Sequence, residues 1–192
     1  MLQIYNCKIS CATILIVINL CYRLYPVGIF APECLTLCMI EFDLPPYDLP
    51  LRRDGTTGTI QVYDPLRLRW VKLTPEEEVR QRFTAFMANH LGYPAALMAN
   101  EVGLRLNSMT RRCDTVVYDR SRLPVLIVEY KAPSVAITQR VFDQIARYNI
   151  VMQVPYLIVT NGLAHYAFRV DYPLRRCLPL SSLPTYPQLS TP

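Results

Sequence analysis

Apolar residues recur along this chain with two different periods, and the points where the period switches mark out its elements. From Thr74 to Gly92, the residues Val79, Phe83, Phe86, Met87 and Leu91 fall three or four positions apart, on one stripe of a helix. Its start is well marked: Thr74 caps, Pro75 takes the first helical position and Glu77 completes a capping box. Gly92 predicts the stop near residue 91. A second stripe, Ile137, Val141, Ile145 and Tyr148, predicts a helix over about residues 138–152. Between the helices the period is two or absent. Leu104 and Leu106 alternate with Gly103 and Arg105 in a strand from Val102 to Asn107, and a second strand runs from Cys113 to Tyr118. Val125-Leu126-Ile127-Val128 is an unbroken apolar run between Pro124 and Pro133, predicted as a central strand buried on both faces. Pro155 to Thr160 reads as another buried strand, and Asn161-Gly162 as a hairpin turn into His165 to Val170. Ahead of the first helix, Ile60 to Tyr63 and Leu68 to Leu73 flank Asp64-Pro65-Leu66-Arg67. Asp-Pro opens turns, so a hairpin is expected, with Trp70 packing from it onto the core.

The order helix, three strands, helix, strand, strand predicts an α/β fold, a mixed sheet flanked by helices. That core should span residues 74–172. Residues 39–73 form an extended lead-in and the hairpin, and 173–192 a proline-rich extended tail. Residues 1–38 differ in character. Ile9 to Tyr22 is uncharged and mostly apolar but shorter than the ~20 residues of a membrane span. It has no amphipathic period, so the segment is expected to lie outside the fold, with translation starting at Met39. A membrane anchor is the alternative.

Composition narrows the function. The 192 residues carry a net charge of +5, which allows an anionic partner without demanding one. Two histidines, His90 and His165, cannot make a zinc site alone, and His165 reads as a strand residue. Five of the seven cysteines precede residue 39, and none forms a C-x-x-C pair; the two C-x-x-x-C pairs there could bind zinc, but nothing else supports it. No disulfide framework is evident, which points to a reducing compartment and a cytoplasmic location. No Walker A sequence occurs, so no motor is encoded in this stretch.

The chemistry concentrates in Asp114 and in Glu129-Tyr130-Lys131 at the end of the apolar strand. Glu129 and Lys131, two residues apart, share one face of that strand, and a short turn lets Asp114 pair beside Glu129. Buried charges at a strand end are costly unless paired or bound to something. An ordinary salt bridge would satisfy Glu129 and Lys131. Two carboxylates with a lysine also suit a divalent metal poised on a phosphodiester.

This order of elements, with Asp114 and Glu129-x-Lys131 at its centre, resembles the PD-(D/E)XK nuclease superfamily. Leu73-Thr74-Pro75-Glu76-Glu77, Glu129-Tyr130-Lys131-Ala132-Pro133, Gln144-Ile145-Ala146-Arg147-Tyr148 and Val159-Thr160-Asn161-Gly162 resemble the N-terminal nuclease domain of type I restriction enzyme R (HsdR) subunits. The resemblance covers about residues 40 to 172. It implies a restriction-endonuclease-like αβββαβ core and Mg²⁺-dependent hydrolysis of double-stranded DNA, with a separate motor or modification subunit as a further partner. Asp114, Glu129 and the main-chain carbonyl of Tyr130 would hold Mg²⁺. Lys131 would orient water or neutralise developing charge. Gln144 and Tyr148 match the family's Q-x-x-x-Y motif, and Glu77 its first-helix glutamate in the metal shell, although a cap alone would explain Glu77. Arg111 and Arg112 are candidates for DNA phosphates, against a merely solubilising role. The alternative to a nuclease is a non-catalytic DNA-binding or assembly module that keeps the fold.

Overall fold

In a computed structural model of the chain the described residues are 42–106, 109–174 and 176–189, and of residues 104–106 and 109–111 only the backbone belongs to that description. The expectations for residues 1–38 lie outside the described residues.

The first stripe and its cap produce helix α1, Pro75–His90. Thr74 accepts from the Glu77 N–H at 3.1 Å, and Gly92, just past the end, adopts φ +73°. Such a left-handed residue lets the last carbonyls find donors without a Cβ penalty. Helix α2, Gln139–Met152, starts after Thr138 and ends where Gln153 turns to φ +51°. Ile137, Val141, Ile145 and Tyr148 all lie on its packed side, as their spacing predicts.

Six strands make the main sheet, in the spatial order β4 (Met98–Leu106), β5 (Met109–Tyr118), β6 (Pro124–Tyr130), β7 (Tyr156–Thr160), β8 (His165–Asp171) and β9 (Arg176–Pro179). Neighbours run antiparallel except β6 and β7, which are parallel because α2 carries the chain back between them. The side-chain parity of β6 splits the core in two. Leu126, Val128 and Tyr130 pack with Val79, Phe83 and Met87 of α1. Ile127 packs with Val141 and Ile145 of α2. Glu129, two residues after Ile127, therefore projects to the α2 side.

A smaller sheet of β1 (Leu51–Arg53), β2 (Ile60–Asp64) and β3 (Arg69–Lys72) precedes α1. The lead-in is thus not merely extended: Leu51 to Arg53 pair with Val62 to Ile60. Trp70 finds its neighbours here. It meets Tyr63 edge-on at 5.4 Å and lies under the Arg52 guanidinium at 4.4 Å.

Two further expectations are corrected. β5 starts at Met109 rather than Cys113, because a hairpin ladder needs only backbone pairing and runs on through polar residues. The tail is not simply extended. Arg176–Pro179 adds the edge strand β9, where prolines are tolerated, and Tyr186–Leu189 forms a short helix, α3. Tyr186 and Leu189 are buried in the α1-side core, and Tyr93 donates to the Pro184 carbonyl at 2.8 Å.

Candidate active site

β6 and α2 bring three of the predicted residues, Lys131, Gln144 and Tyr148, to Glu129 or its neighbours, and β5 places Asp114 across from them. Glu129 is 2% exposed. Its Oε1 accepts from Lys131 Nζ at 2.6 Å and from Gln144 Nε2 at 2.5 Å. The same Gln144 nitrogen lies 3.1 Å from the Tyr148 hydroxyl, so the i, i+4 spacing on α2 makes one amide bridge the two groups. On the neighbouring strand, Asp114 Oδ2 accepts from the Tyr130 N–H at 2.9 Å, and Oδ1 meets Arg80 Nη2 at 2.9 Å.

The strand next to Asp114 is interrupted where the site needs it. Asn100 pairs with Thr115 and Val102 with Cys113, but Glu101 between them takes φ +55°. A left-handed non-glycine residue costs on the order of 1 kcal/mol. Here it breaks the ladder opposite Asp114 and turns Glu101 toward cations: Arg67 at 3.2 Å, Arg112 at 3.6 Å, Arg69 at 3.7 Å and Arg80 at 3.8 Å.

Glu77 has both oxygens committed. Oε1 accepts from Arg67 and from Gln81 at 2.8 Å, and Oε2 from Arg80 at 2.5 Å. This placement suits an anchor for two arginines. The first-helix carboxylate whose charge reaches the pair is its neighbour Glu76, pushed up first by burial and then by the negative charge of Asp114. Arg112 is a strand residue with a 70% exposed side chain, next to Glu101. The side chain of Arg111 lies outside the described residues. His165 sits in β8, its ring tilted against Phe83 at 5.4 Å and hydrogen-bonded to Thr160.

Burial dominates the electrostatics at Glu129. Burial, then the Asp114 charge, push the Glu129 carboxyl up to about 7 despite its bond to Lys131. Burial alone would lower the Lys131 ammonium, but its bond to Glu129 prevails and holds it above its ordinary value. Burial beside the two carboxylates pushes the Cys113 thiol up to about 12, which removes it as a nucleophile. The hard carboxylate oxygens of Asp114 and Glu129 fit Mg²⁺ in kind. Among the described residues no three of His, Cys, Asp and Glu cluster as a ready cage. Mg²⁺ does not require one: it binds through one or two carboxylates and keeps waters or substrate oxygens for the rest.

Sequence reasoning missed Arg67, Arg80 and Glu101. Arg80 was legible, since it stands one helical turn after Glu77. No local signal marked the other two.

Residues 75–184 match the family model described as type I restriction enzyme R protein N terminus. No curated protein matches the chain. Among solved structures it is similar to a chain titled as a fragment of an HsdR subunit of a type I restriction enzyme from Vibrio vulnificus YJ016. The identity is 19% and the TM-score 0.45, over 61% of this chain and 24% of that one. The present chain therefore spans about a quarter of that chain's length. The family match covers more than half of the 192 residues, and the chain belongs to the type I restriction enzyme R protein N-terminal family.

Proposed function

We propose that this domain is a Mg²⁺-dependent DNA endonuclease that hydrolyses phosphodiester bonds in duplex DNA. The observation that carries the reading is the gathering of Lys131 and Gln144 on the Glu129 carboxylate, with Asp114 adding its charge from the next strand. Asp114, Glu129 and the Tyr130 carbonyl are the groups that would hold Mg²⁺, which supplies a Lewis acid for water and phosphate. The chain's own residues do the rest. Lys131, kept protonated by Glu129, offers a donor to a phosphate oxygen or to water. Gln144 fixes the rotamer of Glu129, and Tyr148 fixes that of Gln144. The Tyr130 amide holds Asp114. A separate motor or modification subunit is the partner that the family suggests.

The test is nicking of supercoiled plasmid with and without Mg²⁺. Asp114→Ala and Lys131→Ala should each lower the rate by two or more orders of magnitude, on the scale at which electrostatic and general-acid groups act (~10²–10⁴-fold). Activity that survives either change would sink the assignment.

A second reading is a non-catalytic DNA-binding or assembly module. It is favoured by one observation: each carboxylate already has a cation, Arg80 on Asp114 and Lys131 on Glu129. Calorimetry separates the two readings. Duplex binding without uptake of Mg²⁺ or Mn²⁺ would select the module.

A further inference from the structure

The Asp64-Pro65-Leu66-Arg67 turn lies before the family-matched segment, yet it is wired to the site. Asp64 is fully buried. Its Oδ1 accepts from the Leu66 and Arg67 N–H groups at 2.8 and 3.0 Å, which fixes the turn. Its Oδ2 meets Arg67 Nε and accepts from Asn100 Nδ2 at 2.9 Å. From there two branches of hydrogen bonds lead to Asp114. One runs from Arg67 to Glu77 and from Glu77 to Arg80, and ends on Asp114 Oδ1. The other runs from Asn100 Oδ1 to Thr115 at 2.6 Å and from Thr115 to the Tyr130 hydroxyl at 3.0 Å, and Tyr130 N–H closes it on Asp114 Oδ2. The circuit is closed, and Asp114 is gripped at both oxygens. The side chains of Arg67, Glu77 and Arg80 are 10%, 8% and 5% exposed, so water competes little for these bonds. Arg80 Nε is buried without a hydrogen-bond partner. The helix accepts that unsatisfied donor while the guanidinium spans Glu77 and Asp114 and lies 5.5 Å from the centre of the Tyr130 ring.

We propose that Arg67, acting through Glu77 and Arg80, is a positioning residue that sets the orientation of Asp114, so that the β2–β3 hairpin is a working part of the site. Its kinetic consequence rests on the nuclease reading; its structural consequence does not. Lysine cannot replace Arg67, because one ammonium cannot reach Asp64, Glu77 and Glu101 together, as three guanidinium nitrogens do.

The test compares the full chain with Arg67→Lys and Asp64→Asn, the second keeping the shape of the turn while weakening its hold on Arg67. Hydrogen exchange at the Tyr130 amide reports Asp114 directly, because that N–H donates to the carboxylate; the Val116 amide, buried in the same sheet, serves as a control. Each variant should speed exchange at Tyr130 by tenfold or more and leave Val116 unchanged. In plasmid nicking, kcat should fall about tenfold with the KM for DNA held. Unchanged exchange at Tyr130 in a folded Arg67→Lys or Asp64→Asn chain overturns the proposal, as does an equal acceleration at both amides, which would show general loosening. A wild-type chain without nicking activity defeats the nuclease reading alone, since the exchange measurement still decides the role of Arg67.

Discussion

Glu129 carries the ionisation on which the site turns. Burial and the charge of Asp114 raise its carboxyl from an ordinary 4.5 to about 7. A carboxyl whose folded-state pKa lies above its unfolded value stabilises the fold only while protonated. Its contribution is complete below about pH 4.5 and is lost as the pH rises through about 7. Glu129→Gln cannot ionise, so it should gain on the wild type across that window, by on the order of 1–3 kcal/mol. The measurement is the difference in Tm between the two chains at several pH values. A difference independent of pH would mean that Lys131 compensates the charge completely. On the proposed nuclease reading, the same ionisation predicts that wild-type nicking rises with pH toward neutrality, as the carboxylate proposed to hold Mg²⁺ forms.

At the scale of elements, the connection from α2 into β7 is held by Asn149 together with Tyr172, whose hydroxyl donates to the Val154 carbonyl at 2.8 Å. Asn149, on the last turns of the helix, accepts from the Val154 N–H at 2.8 Å and donates to the Val154 carbonyl at 3.1 Å and the Tyr172 hydroxyl at 3.0 Å. Val154 is fully buried, so no water can replace these bonds. Asn149→Ala leaves the Val154 carbonyl its bond from Tyr172 but strands the buried Val154 N–H, and should cost about 1–3 kcal/mol, read as a lower urea midpoint at unchanged slope. Gln144 and Tyr148 stand on the same helix, so on the nuclease reading nicking should fall as well. The β7–β8 turn is equally constrained. A Cβ on Gly162 would lie 2.5 Å from Phe42 Cδ1, and its φ of +83° disfavours any other residue.

At the scale of the molecule, the family-matched segment is not a complete fold. Residues 75–184 leave out Asp64 and Arg67 on one side and Tyr186 and Leu189 on the other. Cutting there takes Arg67 from the buried Glu77 and Asp64 from Asn100, and uncovers Tyr93, which is 2% exposed in the whole chain and packs edge-on against Tyr186 at 5.7 Å. Glu77 keeps Arg80 but loses its second cation, and the apolar cover of Tyr93 goes with the tail; both losses weigh on a domain whose whole stability is about 5–15 kcal/mol. A chain of residues 75–184 should therefore melt well below the full chain or fail to fold. Equal Tm values would show that the hairpin and tail only decorate the core. Among the described residues no helix is long and apolar enough to cross a membrane.

The elements themselves were written locally. The 3.6-residue stripes of α1 and α2, the Thr74 cap, the Gly92 stop and the Asn161-Gly162 turn each rest on residues a few positions apart, so the chain declares them without its fold. The unbroken apolar run before Glu129 equally declared a strand buried on both faces, and Lys131 beside Glu129 follows from the period of two. What the tertiary structure decided is who meets whom across the chain. Arg80 reaches Asp114 over 34 positions and Asn100 reaches Asp64 over 36. Glu77, whose spacing fitted a capping box, spends its carboxylate on Arg67 and Arg80 instead. Charge pairing at long range leaves no periodic trace, because any acidic and any basic residue can pair once the fold brings them together. The left-handed turn at Glu101 was hidden for a related reason. Its backbone cost is met by four arginines that only the assembled sheet and helix place around it.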